Sequence, residues 1–156
     1  LQLCFSNKAT SKVRRVIATD VFAEGWALYC EEMMMDAGFS HDPKVRLEQL
    51  QGQLMRACRV VIDAKLQLQQ MSFDEAVDML VEKAFVERTN ALAEVKRYTL
   101  SPTQPLSYLI GKREILRIRD EYRQQRGERF KLREFHDKLL SFGTIPPSLV
   151  GDAMLK

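Results

Sequence analysis

Between Asp20 and Phe39 the sequence reads DVFAEGWALYCEEMMMDAGF, with carboxylates at Asp20, Glu24, Glu31, Glu32 and Asp36. No lysine or arginine occurs between Arg15 and Lys44. On a helix, Glu24, Leu28, Glu31 and Met35 share a narrow stripe, while Phe22, Trp26, Tyr29 and Met33 face the other way. Two carboxylates therefore lie in line with apolar side chains. A carboxylate taken out of water costs several kcal/mol unless it is paired or bound to a metal. If the stripe is buried, Glu24 and Glu31 need a cation. Spacing alone favours the plainer alternative, a solvated acidic face.

Counter-charges follow in RACRVVID, where Arg56, Arg59 and Asp63 lie along one face, with Arg59 and Asp63 four apart. As a surface ion pair the latter two contribute about 0.5 kcal/mol. An arginine from here can instead hold a substrate carboxylate in a bidentate fork. The stretch RYTLSPTQPLSYLIGK places Arg97, Tyr98, Gln104, Tyr108 and Lys112 around a helix–loop–helix corner. Polar groups at a corner can converge on a cleft, and a tyrosine hydroxyl can stabilise a developing oxyanion. Packing is the commoner reason for aromatic residues there. Gly111 costs about 1 kcal/mol relative to alanine inside a helix, which predicts a close backbone approach. From Lys112 to Arg133 basic residues outnumber acids, but the two interleave. A solvated face is expected there rather than a nucleic-acid site.

The absences narrow the chemistry. His41 and His136 are the only histidines and lack HExxH-type spacing, so this chain alone cannot build a zinc site of known pattern. No phosphate-binding glycine loop or nucleophile elbow is present. Cys30 sits among carboxylates, which disfavour its thiolate. With Cys4 and Cys58 it makes an odd set without metal-type spacing, so a reducing, cytoplasmic compartment is expected. A net charge of +3 leaves nucleic acid or acidic lipid open as partners and argues for neither, and no apolar run reaches the roughly 20 residues of a membrane helix. The opening, LQLCFSNKATSKVRR, has no initiator methionine and no capping signal, and reads as though cut into.

The elements that must position these residues are helical throughout. At 156 residues, 46% hydrophobic and 29% charged, the chain fits one domain, residues 1–156. Periodicity predicts an all-α packed array of six to seven helices. They run from Leu3 to about Thr19, from an Asp20 cap to Ala37 with Gly38 as the stop, and from an Asp42 cap to about Gln69. Further helices start at a Ser72/Glu75 capping box, run from Arg88 to Leu100 and from Pro105 to near Gly127, and end with Leu132 to Phe142. The third of these is marked by Val45, Leu50, Leu54, Cys58, Val61, Ile62 and Leu66.

The blocks FAEGWALYCEEMMMDAGF, LMRACRVVIDAKL, MSFDEAVDMLVEKA, AEVKRYTLSPTQPLSYLIGK and FHDKLLSFGTIP occur in the order seen in the bacterial "domain of unknown function 885" family, which the chain resembles over almost its whole length. Members look like gluzincin-type zinc metallopeptidases carrying an HExxPGHH-like motif just before a stretch similar to the opening LQL. The resemblance implies that this is the C-terminal part of such a protein. Glu24 of EGWA would be a zinc ligand and Glu31 would orient a ligand or an arginine behind it. Tyr108 would donate to the oxyanion, and Arg97, Arg56 and Gln104 would bind the peptide substrate. The histidine pair and general base would lie in an N-terminal remainder, so the isolated chain is expected to be inactive. Gln67 stands where relatives often carry a histidine. The resemblance leaves self-association open and suggests neither nucleic acid nor membrane as partner. The alternative is a non-enzymatic interaction module with the acidic helix as its docking face.

Overall fold

In the computed structural model, which describes residues 2–9 and 11–156, helices account for nearly all regular structure. They are α1 (Gln2–Ser6), α2 (Lys12–Val16), α3 (Asp20–Asp36), α4 (Pro43–Gln67), α5 (Phe73–Ala84), α6 (Arg88–Leu100), α7 (Gln104–Arg126), α8 (Leu132–Ser141) and α9 (Pro147–Met154). A single isolated bridge, Ala18 with Thr144, is the only β-type pairing among the described residues. The all-α expectation holds, and most boundaries fall within two residues of those the caps predict.

Local chemistry explains the agreements. Asp42 accepts from the Lys44 N–H at 2.9 Å with Pro43 beside it, which opens α4. Ser72 and Glu75 form the reciprocal capping box of α5. Gly38 takes a φ of 83° just past α3, where a residue with a side chain would be strained.

Four expectations need correction. The first predicted helix is two short ones, α1 and α2; Thr10, which lay inside that range, is outside the described residues. Asp20 does not cap α3 but is its first residue; Thr19 caps it, its Oγ1 accepting from the Phe22 N–H at 3.4 Å. The helix expected last, ending at Phe142, is followed by another, because proline suits a first helical turn and Pro147 starts α9. On α4 the apolar positions that mark the helix do not share one environment: Cys58 and Ile62 are buried and Val45 and Leu66 half-buried, whereas Leu50, Leu54 and Val61 are exposed.

The chain divides into two compact units whose boundaries fall within α3 and α7. One comprises residues 1–29 and 110–156. Its core gathers Phe22, Leu28 and Tyr29 of α3, Ile115 and Ile118 of α7, and Phe135 and Leu139 of α8. Here Gly25 and Gly111 let α3 and α7 touch backbone to backbone. A Cβ on Gly111 would overlap the Val21 carbonyl oxygen and lie 2.8 Å from Gly25 Cα. The close approach predicted at Gly111 is present.

The same unit holds His136 half-buried, edge-on to Trp26 with ring centroids 5.3 Å apart, its Nε2 2.8 Å from the Tyr29 hydroxyl. Burial, followed by the Arg119 charge, holds its pKa below the ordinary 6.5, against an opposing pull from Asp137. Because the folded value is depressed, His136 contributes stability that is fully present above about pH 6.5 and is lost as the pH falls through the folded value. Urea unfolding should therefore show lower stability at pH 5 than at pH 7.5. His136→Gln should flatten that difference, and an unchanged pH slope in the variant would assign it to other groups.

The other unit, residues 30–109, holds the end of α3, α4, α5, α6 and the start of α7. Its core is Cys58 and Ile62 against Ala76, Val77 and Leu80 of α5 and Ala91, Val95 and Tyr98 of α6.

Candidate functional site

Within residues 30–109 the polar side chains of α4, α6 and the start of α7 join in one network. Arg59 Nη2 lies 2.8 Å from Glu94 Oε2, and Arg59 Nε donates to the Tyr98 hydroxyl at 2.8 Å. The Tyr98 hydroxyl donates to the same Glu94 oxygen at 2.7 Å, and Arg97 Nη2 donates to that oxygen at 3.0 Å. One carboxylate oxygen thus gathers two guanidiniums and a phenol. Burial pushes the Glu94 carboxyl up, but hydrogen bonds from Arg97 and Tyr98 and the charges of Arg59 and Arg97 outweigh it, leaving the pKa below its ordinary 4.5. Burial also drives the Tyr98 phenol well above its usual value, so it stays a proton donor.

The other nitrogen of Arg97, Nη1, donates to Gln104 Oε1 at 2.8 Å. An arginine only donates, so the Gln104 amide must present its oxygen there and its NH2 to Tyr108, whose hydroxyl it meets at 3.2 Å. The Tyr108 oxygen therefore accepts, and its own O–H remains for another acceptor. The guanidiniums of Arg56 and Arg59 lie 5.7 Å and 5.3 Å from the Tyr108 ring centroid. Arg56 is tied in turn to Glu31 at 2.9 Å, and its buried Nε has no acceptor among the described residues.

The corner that sets Gln104 in place is itself pinned. Thr103 adopts φ 72°, uncommon for a β-branched residue, and its N–H donates to Asp63 Oδ2 at 3.0 Å. Asp63 is 1% exposed, and burial raises its pKa in spite of that bond and one from Gln67. The expected surface pair of Arg59 with Asp63 is thus absent. Arg59 turns to Glu94 on α6, and Asp63 to a loop amide forty positions away. The structure brings Arg56, Arg97, Gln104, Tyr108 and Glu31 into this network, together with Glu94, which sequence reasoning passed over. Its signal was present: Glu94 stands three before Arg97 and four before Tyr98, a spacing that pairs side chains on a helix.

Glu24 belongs to the other unit. It is half-buried between Phe22 and Trp26 in sequence, and it makes no hydrogen bond or ion pair with any described residue. The later carboxylates of α3 differ: Glu31 pairs with Arg56, Glu32 accepts from Gln53 at 3.1 Å, and Asp36 lies 3.9 Å from Arg46. Lys112, expected at the head of a solvated stripe, is 4% exposed. Burial pushes the Cys30 thiol up to about 11, so it is no thiolate nucleophile, and desolvation rather than neighbouring carboxylates is the cause. Among the described residues no three His, Cys, Asp or Glu side chains gather in a group that could hold a metal ion. No helix among them is long and apolar enough to cross a membrane.

A family model described as "Bacterial protein of unknown function (DUF885)" matches residues 1–154. Among solved structures, a protein of Shewanella oneidensis described as "a putative lipoprotein of unknown function" is 34% identical and superposes with a TM-score of 0.90, covering 99% of this chain and 29% of that one. A "putative lipoprotein" of Colwellia psychrerythraea is 32% identical, with a TM-score of 0.87 over 91% of this chain and 24% of its own. The chain therefore spans less than a third of either relative's length. No curated protein matches it.

Proposed function

This chain belongs to the bacterial DUF885 family, and on that premise we propose that it is the C-terminal helical part of a zinc-dependent peptidase. The observation that supports the proposal is Glu24, a half-buried carboxylate without a partner among the described residues on a helix whose later acids are engaged. A carboxylate oxygen suits zinc, and Glu24 would supply one ligand. No group of three metal-ligating side chains forms among the described residues, so the remaining ligands would come from elsewhere in a longer protein. Zinc bound there would activate a water for attack on a peptide carbonyl.

The chain's own residues would bind and orient. Tyr108 has its O–H free to donate to an oxyanion, because Gln104 holds its oxygen as an acceptor. Arg56 Nε is a buried donor that a substrate carboxylate would satisfy, while Glu31 holds the far side of that guanidinium. Arg97 would act mainly by fixing Gln104, since Gln104 and Glu94 already occupy its two terminal nitrogens. A docking role for the acidic helix receives less support, because Glu31, Glu32 and Asp36 already have partners within the chain. The lipoprotein descriptions of both relatives weigh toward export, against the cytoplasmic expectation drawn from cysteine usage.

The test is made in the longer protein. Glu24→Gln should lose bound zinc and peptide hydrolysis together, while Glu32→Gln keeps both. Wild-type protein without zinc, or a Glu24→Gln variant with undiminished hydrolysis, would overturn the proposal. Residues 1–156 alone should hydrolyse nothing; chelator-sensitive hydrolysis by them would show that the missing ligands are not needed.

A further inference from the structure

Two unfavourable features meet in one hydrogen bond at the corner between α6 and α7. Thr103 holds φ at 72°, where a turn after proline ordinarily takes glycine or asparagine because a β-branched side chain is strained. Asp63 on α4 is 1% exposed and makes no ion pair with any described residue. Its Oδ2 accepts from the Thr103 N–H at 3.0 Å, Gln67 supplies a side-chain hydrogen bond, and Oδ1 has no partner among the described residues. A buried carboxylate paired this sparsely is unfavourable, and so is the Thr103 backbone, so stability explains neither. What the pair does set is the position of the next residue. Gln104 opens α7, takes the Arg97 Nη1 on its oxygen at 2.8 Å and gives its amide to the Tyr108 hydroxyl at 3.2 Å. Breaches of local rules collect where function needs them.

We propose that Asp63 is a positioning residue of the candidate site. Its oxygen holds the Thr103 amide, Thr103 sets where α7 begins, and Gln104 then reaches Arg97 and Tyr108 together. The Tyr108 oxygen is thereby kept as an acceptor and its proton kept for another partner. Without Asp63 the Thr103 N–H loses its acceptor and the strained backbone relaxes to negative φ. Gln104 is then carried off at least one of its two partners. The role belongs to the oxygen rather than to the charge, because the group it holds is a neutral amide. The inference rests on the peptidase reading for what the Tyr108 proton meets, an oxyanion; the placement of Gln104 stands apart from that reading.

The test uses the longer protein and has two arms. In the first, crystal structures of wild type and Asp63→Ala are compared. The variant should show the Gln104 amide displaced from Tyr108 while Arg59 still pairs with Glu94. In the second, peptide hydrolysis is measured. Asp63→Ala should lower kcat by about 30-fold with KM within about threefold, short of the roughly 100-fold or more lost with an oxyanion donor itself. Asp63→Asn keeps an oxygen for Thr103 and should restore kcat to within about threefold of wild type. Thr103→Gly takes positive φ without strain, so adding it to Asp63→Ala should recover about fivefold in rate and return a fold if the single variant loses one. Val77→Ala, in the fully buried core of the same unit, should lower the melting temperature and leave kcat alone. Gln104 unmoved in Asp63→Ala, Asp63→Asn as slow as Asp63→Ala, or an equal loss in Val77→Ala would overturn the proposal. A wild-type protein that hydrolyses nothing would instead overturn the peptidase reading, and the crystal structures would still decide whether Asp63 places Gln104.

Discussion

Gly111→Ala is expected to destabilise the protein by about 3 kcal/mol, the upper end of what overpacking costs. The sign is opposite to the usual one. On an exposed helix, alanine in place of glycine gains about 1 kcal/mol through lower backbone entropy and better propensity. At Gly111 the added carbon would overlap the Val21 carbonyl oxygen and crowd Gly25 Cα, and both obstacles are main chain. A flexible side chain could swing aside; two helix backbones can only separate, which opens the core around Phe22 and Ile115. Gly52 supplies the contrast. A Cβ there meets only the Arg56 Nη1 at 2.8 Å, the far end of a long side chain, so Gly52→Ala should be neutral or stabilising by up to about 1 kcal/mol. Urea midpoints measured side by side decide the matter. A Gly111→Ala protein as stable as wild type would mean that α3 and α7 are not in backbone contact.

The second large effect is expected at Glu94. Removing its carboxylate leaves Arg59, whose side chain is 12% exposed, beside Arg97 with no counter-charge, and takes the acceptor from the Tyr98 hydroxyl. Stranding one member of a largely buried ion network costs about 3 kcal/mol, more than the intact pair contributes. Glu94→Ala should therefore lower the unfolding free energy by that order. Glu94→Gln, which keeps an oxygen for one partner, should cost less. The acid limb supplies an independent check. The folded pKa of Glu94 lies below its ordinary 4.5, so its contribution is complete above that value and disappears as the pH falls through the folded one. Wild type should lose its advantage over Glu94→Ala in that acidic range, and an advantage that persisted there would assign the effect to packing.

Much of the architecture was legible from local rules. Ser72 with Glu75, Asp42 with Pro43, and Gly38 each satisfy helix-end groups through neighbours a few residues away, so their signals lie in short stretches of sequence. Gly111 was legible for a related reason: a glycine inside a strongly helical segment costs stability unless the missing side chain makes room. Its partner Gly25 carried no separate signal, because which helix crosses at Gly111 is a matter of tertiary packing. The division of α4 was also hidden. Periodicity marks an apolar face, but Ile62 and Val61 are equally apolar, and only the placement of α5 and α6 buries one and exposes the other.

The candidate site divides along the same line. From its sequence alone the chain is an all-helical member of a recognisable bacterial family, and the residue types around Arg97, Gln104 and Tyr108 mark a polar corner. Tertiary structure decided the partners. Arg59 leaves a carboxylate one turn away for Glu94 on another helix, Asp63 goes into the core to hold the Thr103 amide, and Glu24 alone among the acids of α3 is half-buried without a partner among the described residues. The physical reason is range. Capping and helical periodicity act over three or four residues, whereas the partner of a buried charge is set by which helices pack together.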